Sequence, residues 1–140
     1  MEFITVEQFQ EQPEEVQKVF LDWWKPSNGD LFTTIDEYSE FEESDLLCIQ
    51  DYDEASETWS SRYSWGYSQE ESIPLFTEGQ LRKFIEDKLD MKIQCEIHPL
   101  TLDYIILVKN NSGNKVWMHT GKEDLLQAYW KVACMIVKEG

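Results

Sequence analysis

The sequence predicts an α+β domain in which one antiparallel sheet of about four to five strands packs with three main helices, the C-terminal helix central to the core. Three observations carry that expectation. A capping-box signature occurs at Thr5-Val-Glu-Gln8, Thr77-Glu-Gly-Gln80 and Thr120-Gly-Lys-Glu123, where the hydroxyl can accept from the third helical N–H while the longer side chain reaches back. Apolar residues recur at helical period behind each signature. Between them lie β-branched runs bounded by turn residues.

Taken in order, the first helix begins after Thr5 and meets Pro13. Proline suits a first helical turn and not an interior, so a break falls near Gln12. Val16, Val19, Phe20, Trp23 and Trp24 then form one apolar stripe, and Lys25-Pro-Ser-Asn-Gly-Asp30 ends it with turn residues. Asp30–Ile35 and Leu46–Gln50 read as strands, whereas 51–67 reads as either a strand pair or an aromatic-studded loop. A second helix spans 78–90, with Leu81, Phe84, Ile85 and Leu89 on one face. Lys92–Ile97, Tyr104–Lys109 and Lys115–His119 form a meander, and Asn110-Asn-Ser-Gly-Asn114 has hairpin-turn composition. The third helix runs from 121 to 138 and is apolar over more than half its circumference, as a helix buried on more than one side must be.

A length of 140 residues is the size of one domain, so 1–140 is read as a single acidic domain. Its 28 acidic and 12 basic residues give a net charge of −16. The distribution matters more than the total. Residues 31–73 hold twelve acidic residues against Arg62, while residues 74–140 hold nine of each sign. Hydrophobic content of 41% with six Trp, six Tyr and seven Phe argues against disorder. No stretch approaches the ~20 apolar residues of a membrane helix. The N-terminus Met-Glu-Phe-Ile-Thr lacks the basic start and apolar run of a signal peptide, so a cytoplasmic location is expected. Cys48, Cys95 and Cys134 are odd in number and far apart, and are expected to be buried free thiols.

Catalytic and metal chemistry find no constellation. Asp51-Tyr-Asp-Glu54 alternates like a calcium loop, but Ser56 stands where the loop needs glycine. His98 and His119 are 21 residues apart, and no cysteine pair has ligand spacing. Gly79, Gly113 and Gly121 are isolated, so no phosphate loop is present. The expectation is a non-enzyme with no cofactor and no metal. Net acidity also disfavours direct nucleic-acid and membrane binding and favours cationic grooves.

Glu7–Leu31 with its Leu21-Asp-Trp-Trp-Lys-Pro-Ser-Asn-Gly-Asp30 run, Ile73–Lys88 and Asp124–Ala133 resemble a group of small, functionally uncharacterised proteins of phages and prophages of Firmicutes. That group carries no assigned catalytic residues. The resemblance implies a phage-encoded accessory protein, a class whose acidic members include anti-CRISPR inhibitors of host defence nucleases.

The acidic segment is accordingly expected to mimic nucleic acid. Residues two apart on a strand face one side about 6–7 Å apart, and duplex DNA shows one phosphate per ~3.4 Å on each strand. Asp36, Glu40 and Glu42, and separately Asp51 and Asp53, have the even spacing that lines carboxylates on one face. The expected contact set is Asp36, Glu37, Glu40, Glu42, Glu43, Asp51, Asp53, Glu54 and Glu57, with Trp59 and Trp65 as aromatic anchors. The expected partner is a basic nucleic-acid-binding host protein, with a CRISPR effector nuclease as the leading target class. The alternative is a non-catalytic phage accessory or interaction protein, as a monomer or a homodimer, whose acidity only solubilises it.

Overall fold

The computed structural model describes residues 2–34, 46–110 and 112–139, which hold four α-helices and nine short strands. The chain divides into two compact units, Thr5–Phe76 and Met1–Ile4 with Thr77–Gly140.

The Thr5–Phe76 unit opens with α1 (Val6–Gln10), capped as its signature requires. Gln8 N donates to Thr5 Oγ1 at 3.1 Å, and Thr5 N donates to Gln8 Oε1 at 3.0 Å. Pro13 then caps α2 (Glu14–Trp23), which buries Val16 and Phe20. The expected break is held by Gln17 Nε2, which donates to the Gln12 carbonyl at 2.8 Å. Six strands follow: β1 (Leu31–Thr34), β2 (Leu47–Cys48), β3 (Asp51–Asp53), β4 (Thr58–Ser60), β5 (Tyr67–Ser68) and β6 (Ser72–Pro74). They make two antiparallel sheets, ordered β2-β1-β6 and β3-β4-β5. Phe32 of central β1 is fully buried. Its ring stands edge-on to Trp59 (5.7 Å) and Tyr67 (5.1 Å). Phe20 packs on Phe76 with centroids 5.8 Å apart. Each such aromatic pair contributes about 0.5–1.5 kcal/mol beyond its buried area.

The second unit contains α3 (Glu78–Leu89), β7 (Cys95–Ile97), β8 (Tyr104–Lys109), β9 (Lys115–His119) and α4 (Leu125–Glu139). A bridge between Phe3 and Thr77 joins its two chain segments. Thr77 and Gln80 form the anticipated capping box, and Asp90 in the left-handed region closes α3. The meander is an antiparallel sheet, β7-β8-β9, with Leu107 opposite Trp117 and Val108 opposite Val116. Helices α3 and α4 pack together. Leu81, Phe84 and Ile85 are buried on the first, and Leu126, Ala128, Tyr129, Val132 and Ala133 on the second.

Two expectations need correction. Three three-stranded sheets replace the single sheet of four to five strands. The meander strands β7, β8 and β9 pair only with one another, while β1 finds its partners at β2 and, some forty residues downstream, at β6. The third capping box does not form, because α4 starts at Leu125. Asp124 Oδ1 accepts from Gln127 N at 3.1 Å instead. Thr120 is fully buried at the end of the sheet, donating to the Tyr104 carbonyl at 2.6 Å. Gly121 then turns the chain at φ 69° before any helix begins.

Candidate partner-binding surface

The acidic stretch that was least legible folds as the β3–β4 hairpin, pairing Asp51 with Ser60, Tyr52 with Trp59 and Asp53 with Thr58. Asp53 builds its own turn: Oδ1 accepts from Ala55 N at 3.0 Å and Oδ2 accepts from Ser56 Oγ at 3.1 Å. Glu57 leaves the turn at φ 56°. Strand alternation sets Asp51 and Asp53 on one side and Tyr52 on the other. Asp51, Asp53, Glu54 and Glu57 are all exposed.

None of these four carboxylates is in an ion pair among the described residues. The pairs present are Lys18–Asp22 (3.2 Å), Arg82–Glu86 (3.7 Å), Lys83–Asp87 (3.7 Å) and His119–Asp103 (3.9 Å). The hairpin therefore presents its negative charge to solvent. Asp36, Glu37, Glu40, Glu42 and Glu43 lie outside the described residues.

The two tryptophans part company. Trp65 is 85% exposed, as a contact residue should be, on a loop held by Ser61 N donating to the Ser64 carbonyl at 2.8 Å. Tyr63 stands beside it at 72% exposure, with the Arg62 guanidinium 5.9 Å from its ring centre. Trp59 corrects the expectation, because it is only 2% exposed. It lies edge-on to Trp24 at 5.5 Å and tilted against Tyr52 at 6.2 Å, in the aromatic core. The signal was present in Thr58-Trp59-Ser60, a lone apolar residue between two polar ones, which is the alternation of a half-buried strand.

Beside the hairpin opens a concavity of about 1190 Å³, walled by residues 24–28, the hairpin and residues 68–70. Each wall is tied in place. Asp30 Oδ2 accepts from Trp24 Nε1 (3.0 Å) and Ser27 N (3.1 Å), which fixes the first segment. Asn28 Oδ1 accepts from Tyr52 N at 3.0 Å, joining that segment to the hairpin. Gln69 Nε2 donates to the carbonyls of Leu21 and Trp24. Glu54, Glu57 and Glu70 line the concavity against one cation, Lys25.

In the other unit, the rings of His98 and His119 lie 5.3 Å apart. His98 Nδ1 accepts from Leu100 N (3.2 Å) and Thr101 N (3.3 Å), so this nitrogen serves the turn. Buried Asp103 is held below the usual carboxylate value by hydrogen bonds from the Thr101 hydroxyl and Gly121 N–H, and by His119. No group of three or more His, Cys, Asp or Glu with metal-binding geometry occurs among the described residues.

The thiols are free, but Cys48 and Cys95 are exposed rather than buried. Their short strands lie at sheet edges, beside β1 and β8 respectively. Cys134 is buried on α4, and burial pushes its thiol up to about 12. Among the described residues, no helix is long and apolar enough to cross a membrane. No known protein family, curated protein or solved structure matches the chain.

Proposed function

We propose that the protein is a non-enzymatic, phage-encoded inhibitor of a host defence protein, acting in the host cytoplasm as an acidic nucleic-acid mimic that occupies a basic groove. A CRISPR effector nuclease is the leading target class. The observation that carries this reading is the exposure of Asp51, Asp53, Glu54 and Glu57 on one hairpin, with no ion pair to neutralise them among the described residues. A Lys/Arg-lined groove holds nucleic acid by neutralising phosphates and releasing counterions, and a row of carboxylates competes for the same cations. Exposed Trp65 and Tyr63 add the aromatic contact area that dominates many interfaces.

The test is affinity capture from the bacterial host with salt-gradient elution. A basic nucleic-acid-binding protein should elute early in the gradient, and Asp51→Lys, Asp53→Lys and Glu54→Lys together should abolish its capture. Salt-insensitive capture, or capture unchanged by the reversals, overturns the reading.

A second reading has its own observation. In the nearly neutral unit Ile97 (55%), Leu100 (87%), Leu102 (59%), Val116 (38%) and Trp117 (41%) are exposed, as an apolar association surface would be. The protein is then a homodimeric accessory module, and its mass in solution would be twice that of the chain.

A further inference from the structure

We propose that the outer edge of β9 pairs antiparallel with the same edge of a second copy, joining two meanders into one continuous sheet about a two-fold axis at Trp117. This deepens the homodimer reading above by naming its contact strand, and it rests on that reading.

The backbone selects the edge. Strand β9 pairs with β8 alone. Thr120 N donates to the Tyr104 carbonyl at 3.1 Å, and Asn110 N donates to the Asn114 carbonyl at 2.8 Å. Hydrogen-bonded positions alternate along an antiparallel strand, so the even-numbered residues of β9 turn their backbone groups to β8. Lys115, Trp117 and His119 turn theirs outward, where they meet no partner among the described residues. All three are exposed. An exposed edge with free N–H and C=O groups is a template for another strand.

Side chains select the occupant. Directly opposed residues share one face of a sheet. On this face Lys109 stands beside Lys115, Leu107 beside Trp117, and Ile105 between Glu96 and His119. The rows run from two cations, through an apolar pair, to an end bearing Glu96 and Asp103, whose carboxylate lies 3.9 Å from His119. Neither lysine is in an ion pair among the described residues. A two-fold axis at Trp117 sets Lys115 opposite the second copy's His119, and the reverse, so each lysine end meets a carboxylate end. Trp117 then faces its own copy about 5.5 Å away, Cα to Cα, with Leu107 next in the row on either side. An isologous contact requires this kind of self-complementarity.

Net charge agrees. Residues 1–4 with 77–140 hold ten acidic and nine basic side chains, so two copies meet here without the repulsion that residues 5–76 would bring. Other occupants fit less well. A parallel second copy sets lysine beside lysine, the contact by which edge lysines discourage pairing. A uniformly basic strand meets Lys109 and Lys115, and a uniformly acidic one meets Glu96 and Asp103.

The test is sedimentation equilibrium of the intact chain at physiological salt, which screens its net charge, together with amide exchange by NMR. The mass should rise to twice that of the chain with concentration, and the amides of Lys115, Trp117 and His119 should become protected over the same range. Trp117→Lys, an exposed change that sets like charges across the axis, should abolish the dimer and leave the circular dichroism unchanged. Lys115→Glu should weaken the dimer about tenfold, because each cross-strand pair occurs twice in a two-fold contact. Adding His119→Lys to Lys115→Glu should restore it, since the opposed charges are then exchanged.

A dimer in which those three amides stay unprotected, or which is indifferent to Trp117→Lys and Lys115→Glu, overturns the inference and leaves the homodimer reading standing. A chain that stays monomeric at every concentration overturns both. Protection of the same amides only when an extended segment of another protein is added also overturns the second copy as occupant.

Discussion

Residues 5–76 carry 18 acidic and three basic side chains, a net charge of −15, whereas residues 1–4 with 77–140 carry ten and nine, a net charge of −1. The surface chemistry follows the same division. In the neutral unit α3 is laced by the i,i+4 pairs Arg82–Glu86 and Lys83–Asp87. In the acidic unit the ion pair among the described residues is Lys18–Asp22. Self-repulsion destabilises a compact state, so the acidic unit leans harder on its interior. That interior is aromatic: Trp24, Phe32, Trp59 and Tyr67 meet edge-on in one cluster. The neutral unit leaves mainly aliphatic side chains at its surface, Ile97, Leu100, Leu102 and Val116, whereas the acidic unit exposes Tyr63 and Trp65. One chain thus holds two strategies, charge outside with aromatics inside, and neutrality outside with a helix pair against a meander.

The largest expected effect that could break this contrast is Trp59→Ala. Removing a buried aromatic costs about 3–5 kcal/mol, and hydrogen exchange should show the loss of protection concentrated in residues 5–76. Equal loss in α3 and α4 would mean that the two units do not differ in what stabilises them. Next come the two capping boxes, one in each unit. Thr5→Ala and Thr77→Ala should each cost about 1 kcal/mol in denaturant unfolding, with Thr77→Ala the larger because α3 is twelve residues long and α1 five.

A smaller effect is confined to acid. Asp103 titrates below its ordinary value of 3.8 in the fold, because the Thr101 hydroxyl and Gly121 N–H stabilise the carboxylate. A depressed value means that its contribution is present above the ordinary carboxylate range and is lost as pH falls through the folded value. Asp103→Asn should flatten the acid limb of the melting-temperature profile and leave its neutral plateau sloped as before. An unchanged acid limb would sink that assignment. The smallest perturbation is chemical labelling. A thiol reagent at neutral pH should modify exposed Cys48 and Cys95 in the native chain and reach Cys134 only after denaturation.

The two units also differed in how far they could be read in advance. Helix α3 was expected over 78–90 and occupies Glu78–Leu89, because its cap, its apolar face and its stop are all encoded within one helix length. Strands β8 and β9 fall where β-branched runs flank Asn110-Asn-Ser-Gly-Asn114. In the acidic unit the strands are two to four residues long, so alternation spans at most a residue or two, as at Thr58-Trp59-Ser60. The pairing of β1 with β6 joins Phe32 to Pro74 across a long stretch of chain, and no local pattern announces it. At the candidate surface the carboxylates were legible as charge, whereas Trp59 was misplaced and the concavity was invisible. Its walls come from three separated segments.

What the amino-acid sequence determined alone is local: the Thr5 and Thr77 caps, the break at Pro13, the C-terminal hairpin and the concentration of negative charge before residue 76. These depend on neighbours within a turn or two, where propensity and hydrogen-bond geometry act directly. Only tertiary structure decided that three small sheets form, that Thr120 ends a sheet while Asp124 caps α4, and that Trp59 joins the core while Trp65 stays in solvent. Those outcomes depend on which distant segment supplies a partner for each backbone group and which ring fills the space beside Phe32, and burial of that kind belongs to no single stretch of chain.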